Sequence, residues 1–143
     1  MDRVVPFLCC LILLPFLTHA KAEFGDVQIS RVVSVYDGDT FRVDIDHWPA
    51  LVGKNAPIRV KQVDTPEMRG KCALEKSMAK QAKRFTQQLL AKATEIELRN
   101  IERGKYFRIL ADVYIDDQSL AELLILNHLA RPYAGGERRG WCE

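Results

Sequence analysis

The sequence predicts an α+β, mainly β domain: a five-stranded OB-type barrel with two to three helices. Three observations carry that expectation. Five short segments rich in β-branched and aromatic residues are separated by turn residues, one long amphipathic helix falls between the third and the fourth, and a shorter helix follows the fifth. A βαβ sheet would need a crossover helix for each parallel pair, and only one such helix is present.

Residues 27–36 read as the first strand, with Asp37-Gly38 as a tight hairpin turn. The partner runs over 39–46, where Phe41, Val43 and Ile45 alternate with Arg42, Asp44 and Asp46, and Asp39 shares the inward phase. Residues 47–57 contain Trp48-Pro49 and Gly53-Lys54-Asn55 and are expected to be a loop. The third strand is 58–63, with Ile58 and Val60 on one face and Asp64 in their phase just beyond. Strict alternation sets Arg59 on the opposite face from Asp64, so a site shared by both requires a bulge or twist near Gln62.

Between 72 and 93, Leu74, Met78, Ala82, Phe85 and Leu89 recur at helical spacing, while Lys76, Lys80, Lys83 and Arg84 lie elsewhere. That is a core stripe with a solvated basic face. Residues 95–101 and 106–115 form two further strands joined at Arg103-Gly104. Ser119-Leu120-Ala121-Glu122 is a capping box opening a short helix that stops before Pro132. The glycine-rich tail after Tyr133 is expected to be irregular and to need a covalent tie.

The amino terminus carries a different signal. An apolar run over 4–17 is interrupted by Pro15 and followed by Ala20-Lys21-Ala22. It is shorter than the ~20 residues of a spanning helix and matches a secretory signal over 1–22, cleaved before Glu23. A retained anchor is the alternative. Cleavage leaves one domain over 23–143, secreted or periplasmic and not associated with a membrane. Only Cys72 and Cys142 survive it, and an even count in an exported domain points to a disulfide, the alternative being two free thiols. Linking them would stabilise the fold by roughly 4 kcal/mol through the unfolded chain. A net charge of +2 is too small for the whole-molecule field to announce a polyanionic partner, so any attraction must be local.

The chemistry lies in two acidic motifs about 25 residues apart, Asp37-Gly38-Asp39-Thr40 and Val63-Asp64-Thr65-Pro66-Glu67, each at the mouth of a strand. Asp39 and Asp64 offer hard oxygen ligands, and the Thr65 carbonyl, held by the Thr65-Pro66 step, offers a third. Such a set suits Ca²⁺, with Mg²⁺ as competitor. His47 and His128 are isolated and give no zinc spacing. Arg59 and Arg108 present planar forks matched to phosphate oxygens. A dication beside two guanidiniums stabilises the charge that builds on a phosphodiester under attack. Glu67, three residues after Asp64, is placed to hold the attacking water.

Taken together, Asp37-Gly38-Asp39-Thr40, Ile58-Arg59-Val60 leading into Val63-Asp64-Thr65-Pro66-Glu67, and Lys105-Tyr106-Phe107-Arg108 closely resemble the staphylococcal nuclease (thermonuclease) family over residues 27–133. The resemblance implies that Asp39, Asp64 and the Thr65 carbonyl bind Ca²⁺, that Glu67 serves the water, and that Arg59 and Arg108 hold and polarise the phosphate. It implies hydrolysis of DNA and RNA, single-stranded or unwound, with low sequence specificity and 3′-phosphate products, by a monomer. Lys105 and Tyr106 match positions that flank the nucleotide; Tyr133 lies one position off a tyrosine lining its pocket. Two departures stand out. Phe107 occupies a position where the family usually has glycine, and Cys72 with the Trp141-Cys142-Glu143 ending suggests an exported bacterial branch with a disulfide of its own. The rival reading is a non-catalytic nucleic-acid-binding OB module, which the presence of every matched catalytic side chain argues against.

Overall fold

The structure, a computed structural model, describes residues 24–142. The expected secretory signal over 1–22 lies outside the described residues. Among those described, no helix is long and apolar enough to cross a membrane.

In chain order the elements are β1 (Val27–Gln28), β2 (Arg31–Val35), β3 (Thr40–Asp44), α1 (Ala50–Gly53), β4 (Ala56–Val60), β5 (Val63–Asp64), α2 (Ala73–Lys92), β6 (Ile96–Arg103), a 3₁₀ turn (Lys105–Phe107), β7 (Ile109–Ile115), β8 (Gln118–Ser119), α3 (Leu120–Leu126) and β9 (Arg131–Pro132). One mixed sheet runs β1-β6-β7-β4-β3-β2 with β8 added to β7; β5 and β9 form a separate two-stranded ladder. The sheet curls into a half-barrel carrying three helices, the α+β, OB-type architecture expected from the sequence.

Partner exchange explains the curl. The predicted first strand is two strands, because the chain changes neighbours at Ile29-Ser30: Ile29 N–H donates to the Ile96 carbonyl on β6 (3.0 Å), and Ser30 N–H to the Asp44 carbonyl on β3 (2.8 Å). β4 then pairs antiparallel with β3 and parallel with β7. The enclosed core contains Phe41, Val43, Ile45, Ile58, Leu98 and Val113, each at most 1 % exposed. The inward phase read for β3 therefore holds.

Helix α2 starts at Cys72, whose sulfur accepts the Glu75 N–H, and buries Ala79, Ala82, Thr86 and Leu90. Leu74, expected on that stripe, is 54 % exposed because the buried face takes Glu75 in that turn instead. The N-cap expected for α3 forms, Ser119 accepting the Glu122 N–H at 3.3 Å. The loop over 47–57 contains the single turn α1. The strand expected from Tyr106 begins only at Ile109. Tyr106 and Phe107 turn through the left-handed region (φ 56° and 59°), which breaks the strand that their aromatic side chains suggest.

Candidate active site

Asp39 lies immediately before β3, 1 % exposed, and its carbonyl accepts the Val60 N–H at 2.8 Å. The β3–β4 register sets Thr40 opposite Arg59, so the Arg59 guanidinium reaches back to Asp39. Arg59 Nη1 donates to Asp39 Oδ1; Nη2 donates to the Val63 carbonyl at 3.2 Å and lies 3.8 Å from Asp64 Oδ1. Thr65 N–H donates to Asp39 Oδ2 at 3.1 Å. The two acidic motifs thus meet through an arginine and a backbone amide, both buried.

The alternation conflict resolves at Gln62. Its φ of 65° breaks the strand between β4 and β5, so Arg59 and Asp64 converge although they are five positions apart. β5 leaves the main sheet there and pairs with β9, Asp64 opposite Arg131.

Asp37, Asp39, Asp64 and Glu67 crowd together. Burial first, then the Asp39 charge, and also that of Glu67, push the Asp37 carboxyl up from 3.8 to about 7. Arg138 supplies a counter-charge: it pairs with Glu67, and its Nε lies 3.2 Å from Asp64 Oδ1. Burial works against the charge of Arg138, but Asp64 and Glu67 outweigh it and hold the guanidinium above its ordinary value. Asp64 Oδ1 is nevertheless buried without a hydrogen bond. A buried carboxylate oxygen that faces two guanidiniums without hydrogen-bonding to either, among mutually repelling acids, fits a hard divalent cation. Asp39, Asp64 and the buried Thr65 are the residues that would hold it.

The family profile described as "Staphylococcal nuclease homologue" matches residues 57–140. The chain belongs to the staphylococcal nuclease family. It is 33 % identical over 118 residues to the "Thermonuclease" of Staphylococcus hyicus, covering 82 % of this chain and 66 % of that protein. It is 32 % identical over 117 residues to "Endonuclease YncB" of Bacillus subtilis (strain 168), covering 79 % and 51 %. To "SPbeta prophage-derived endonuclease YokF" of the same organism it is 31 % identical over 111 residues, covering 76 % and 34 %. The chain spans from about a third to just under two thirds of the length of these relatives.

Within this family fold the remaining expected site residues fall in three places. Glu67 carries a side chain 43 % exposed, and its N–H donates to Glu75 Oε1 at 3.4 Å. Arg108, just after the 3₁₀ turn, pairs with no carboxylate among the described residues. It instead lines a cavity of about 520 Å³ with Ser34, Tyr36, Thr40, Lys83 and Tyr106. Thr40 connects that cavity to the acids, its hydroxyl donating to Asp39 Oδ1 at 3.0 Å. Tyr106 is 87 % exposed, and Lys105 is exposed beside it. Tyr133 is half-buried, its N–H on the Gln62 carbonyl and its hydroxyl on the Gly136 carbonyl, both at 2.8 Å. Cys72 and Cys142 are joined, with Cα atoms 5.9 Å apart.

Sequence reasoning missed four residues at this site. Asp37 stood inside a quoted motif but was read as a turn. Glu75 is a buried acid in the first turn of α2 whose carboxylate also accepts the Lys71 N–H at 2.9 Å, so it gathers the loop carrying Glu67. Arg138 and Trp141 lie in a tail without periodicity. The adjacency of Trp141 to Cys142 was the one signal available for them.

Proposed function

We propose that the protein is a Ca²⁺-dependent phosphodiesterase that cuts DNA and RNA internally, with low sequence preference, leaving 3′-phosphate and 5′-hydroxyl ends. The observation that carries this reading is the convergence of Asp39 and Asp64 on Arg59, with Asp64 Oδ1 buried and without a hydrogen bond, in a chain of the staphylococcal nuclease family. The relatives' names, thermonuclease and endonuclease, support the same reaction class. We also propose an exported enzyme, with 1–22 as signal and 23–143 as the nuclease domain, acting as a monomer on single-stranded or unwound substrate.

In this reading Asp39, Asp64 and the Thr65 carbonyl hold the cation, which when bound neutralises charge building on the phosphoryl oxygens. Arg59 has donors left beyond those spent on Asp39 and Val63 and directs them at the phosphate. Arg108, with no ion pair among the described residues, grips the phosphate from the other side. Lys83 and Lys105 add local positive charge, and Tyr106 gives an exposed ring on which a base stacks. Glu67 orients the water and accepts its proton as the water oxygen bonds to phosphorus and the P–O5′ bond breaks, the departing 5′ oxygen taking its proton from solvent. Contacts of this kind go to backbone phosphate, so they read no sequence.

The test is a nicking assay on heat-denatured DNA by the oxidised protein. Cleavage with Ca²⁺ that stops with chelator, with 3′-phosphate ends, is expected. Binding without cleavage at any Ca²⁺ concentration would establish the non-catalytic module instead.

A further inference from the structure

Trp141 is 77 residues from Asp64, yet its indole Nε1–H donates to Asp64 Oδ2 at 3.3 Å. The ring is 6 % exposed, in a tail whose other residues from Ala134 onward are exposed. Arg131, opposite Asp64 in the β5–β9 ladder, sets its guanidinium 3.7 Å from the indole centroid and donates to the Gly140 carbonyl at 2.8 Å. The next residue, Cys142, is bonded to Cys72 at the start of α2. Arg138 of the same segment bridges Asp64 and Glu67.

The division of labour on Asp64 is specific. The indole takes Oδ2, while Oδ1, without a hydrogen bond, faces Arg138 Nε at 3.2 Å and Arg59 Nη2 at 3.8 Å. Fixing one oxygen of a carboxylate aims the other, and partners of this kind typically change metal affinity 10–100-fold. We propose that the C-terminal tail is a working part of the site: Trp141 is a positioning residue that orients Asp64 for the cation, and the Cys72–Cys142 bond keeps it there. This rests on the cation-dependent reading above. It makes cation affinity depend on the oxidation state of a bond that touches no reacting atom.

The experiment is calorimetric titration with Ca²⁺ alone, without nucleic acid. It compares the oxidised parent, oxidised Trp141→Phe, and the parent with both cysteines reduced. Phenylalanine keeps a ring but removes the N–H. Trp141→Phe and the reduced parent should each bind Ca²⁺ about ten-fold more weakly. Reducing Trp141→Phe should add little, because both changes act through one contact. Parental affinity in Trp141→Phe, or in the reduced parent, overturns the proposal while leaving the metal reading intact. An oxidised parent that binds no Ca²⁺ overturns both. Should Trp141→Phe fail to fold, Trp48→Phe leaves Trp141 as the one indole of the two in the chain. Its emission should then shift along the calorimetric isotherm, and an emission indifferent to Ca²⁺ sinks the claim.

Discussion

Thr86, on the buried face of α2, donates its hydroxyl to the carbonyl of Gly38 at 2.7 Å, which ties the long helix to the turn between Asp37 and Asp39. Gly38 also packs too closely to carry a side chain: a Cβ there would lie 2.8 Å from both Ala82 Cβ and Thr65 Cγ2. Thr86→Val, nearly isosteric, should destabilise the fold by about 1–3 kcal/mol by stranding a buried carbonyl. Gly38→Ala should cost about as much through overpacking and should weaken Ca²⁺ binding as well, since it displaces Asp39 and Thr65 together. Urea unfolding and calorimetry on the two variants check both.

The two arginines assigned to the phosphate should separate under mutation. Arg59 is buried against a buried Asp39, with side chains 9 % and 1 % exposed. Removing one partner of such a pair costs about 3–5 kcal/mol, so Arg59→Met should lose stability together with activity. Arg108 has no ion pair to lose among the described residues, and Arg108→Met should stay within about 0.5 kcal/mol of the parent. Its turnover should still fall by about 10²–10³. Unfolding and cleavage rates measured side by side distinguish the two cases.

Acid crowding predicts an inverted pH profile for the chelated protein. Asp37 is raised to about 7 in the fold against 3.8 without it, so the folded state holds the extra proton between those values. Its contribution is harmless below pH 3.8 and increasingly unfavourable up to about pH 7. Asp37→Asn should remove that share of the decline, so that its stability falls less than the parent's between those limits. Saturating Ca²⁺ should also flatten the parent's curve, because a cation compensates the same charge. Urea titrations across the range, with chelator and with Ca²⁺, measure it; a parent whose stability falls no more steeply through this window than that of Asp37→Asn would contradict the assignment.

Glu67 should act on rate rather than on association. Glu67→Gln keeps size and polarity but cannot accept the proton of water, so kcat should fall by about 10²–10³ while binding of single-stranded DNA changes little. Glu75→Gln should behave differently. It touches no substrate, but its carboxylate holds the Glu67 and Lys71 amides. Its kcat loss should come with faster amide exchange over the loop after Pro66.

How much of this was legible depended on whether the signal was local. Phe41, Val43 and Ile45 declare the inward phase of β3 within a few residues, and Asp39 follows from it. Ser119 and Glu122 announce α3. The conflict between Arg59 and Asp64 was itself informative, since it required the chain to break where Gln62 adopts its left-handed conformation. The partners of Asp64 and Glu67 in the tail could not be read, because Trp141 and Arg138 reach back 77 and 71 residues. Alternation also misled at Tyr106 and Phe107: aromatic side chains favour a strand, and the tight turn after Gly104 prevails.

The late arrival of Trp141 bears on how a cell tolerates making such a molecule. Asp64 leaves the ribosome 77 residues before Trp141, the residue whose indole holds it. Chains cut short by stalled translation or proteolysis before Trp141 would present Asp64 without the indole proposed to orient it.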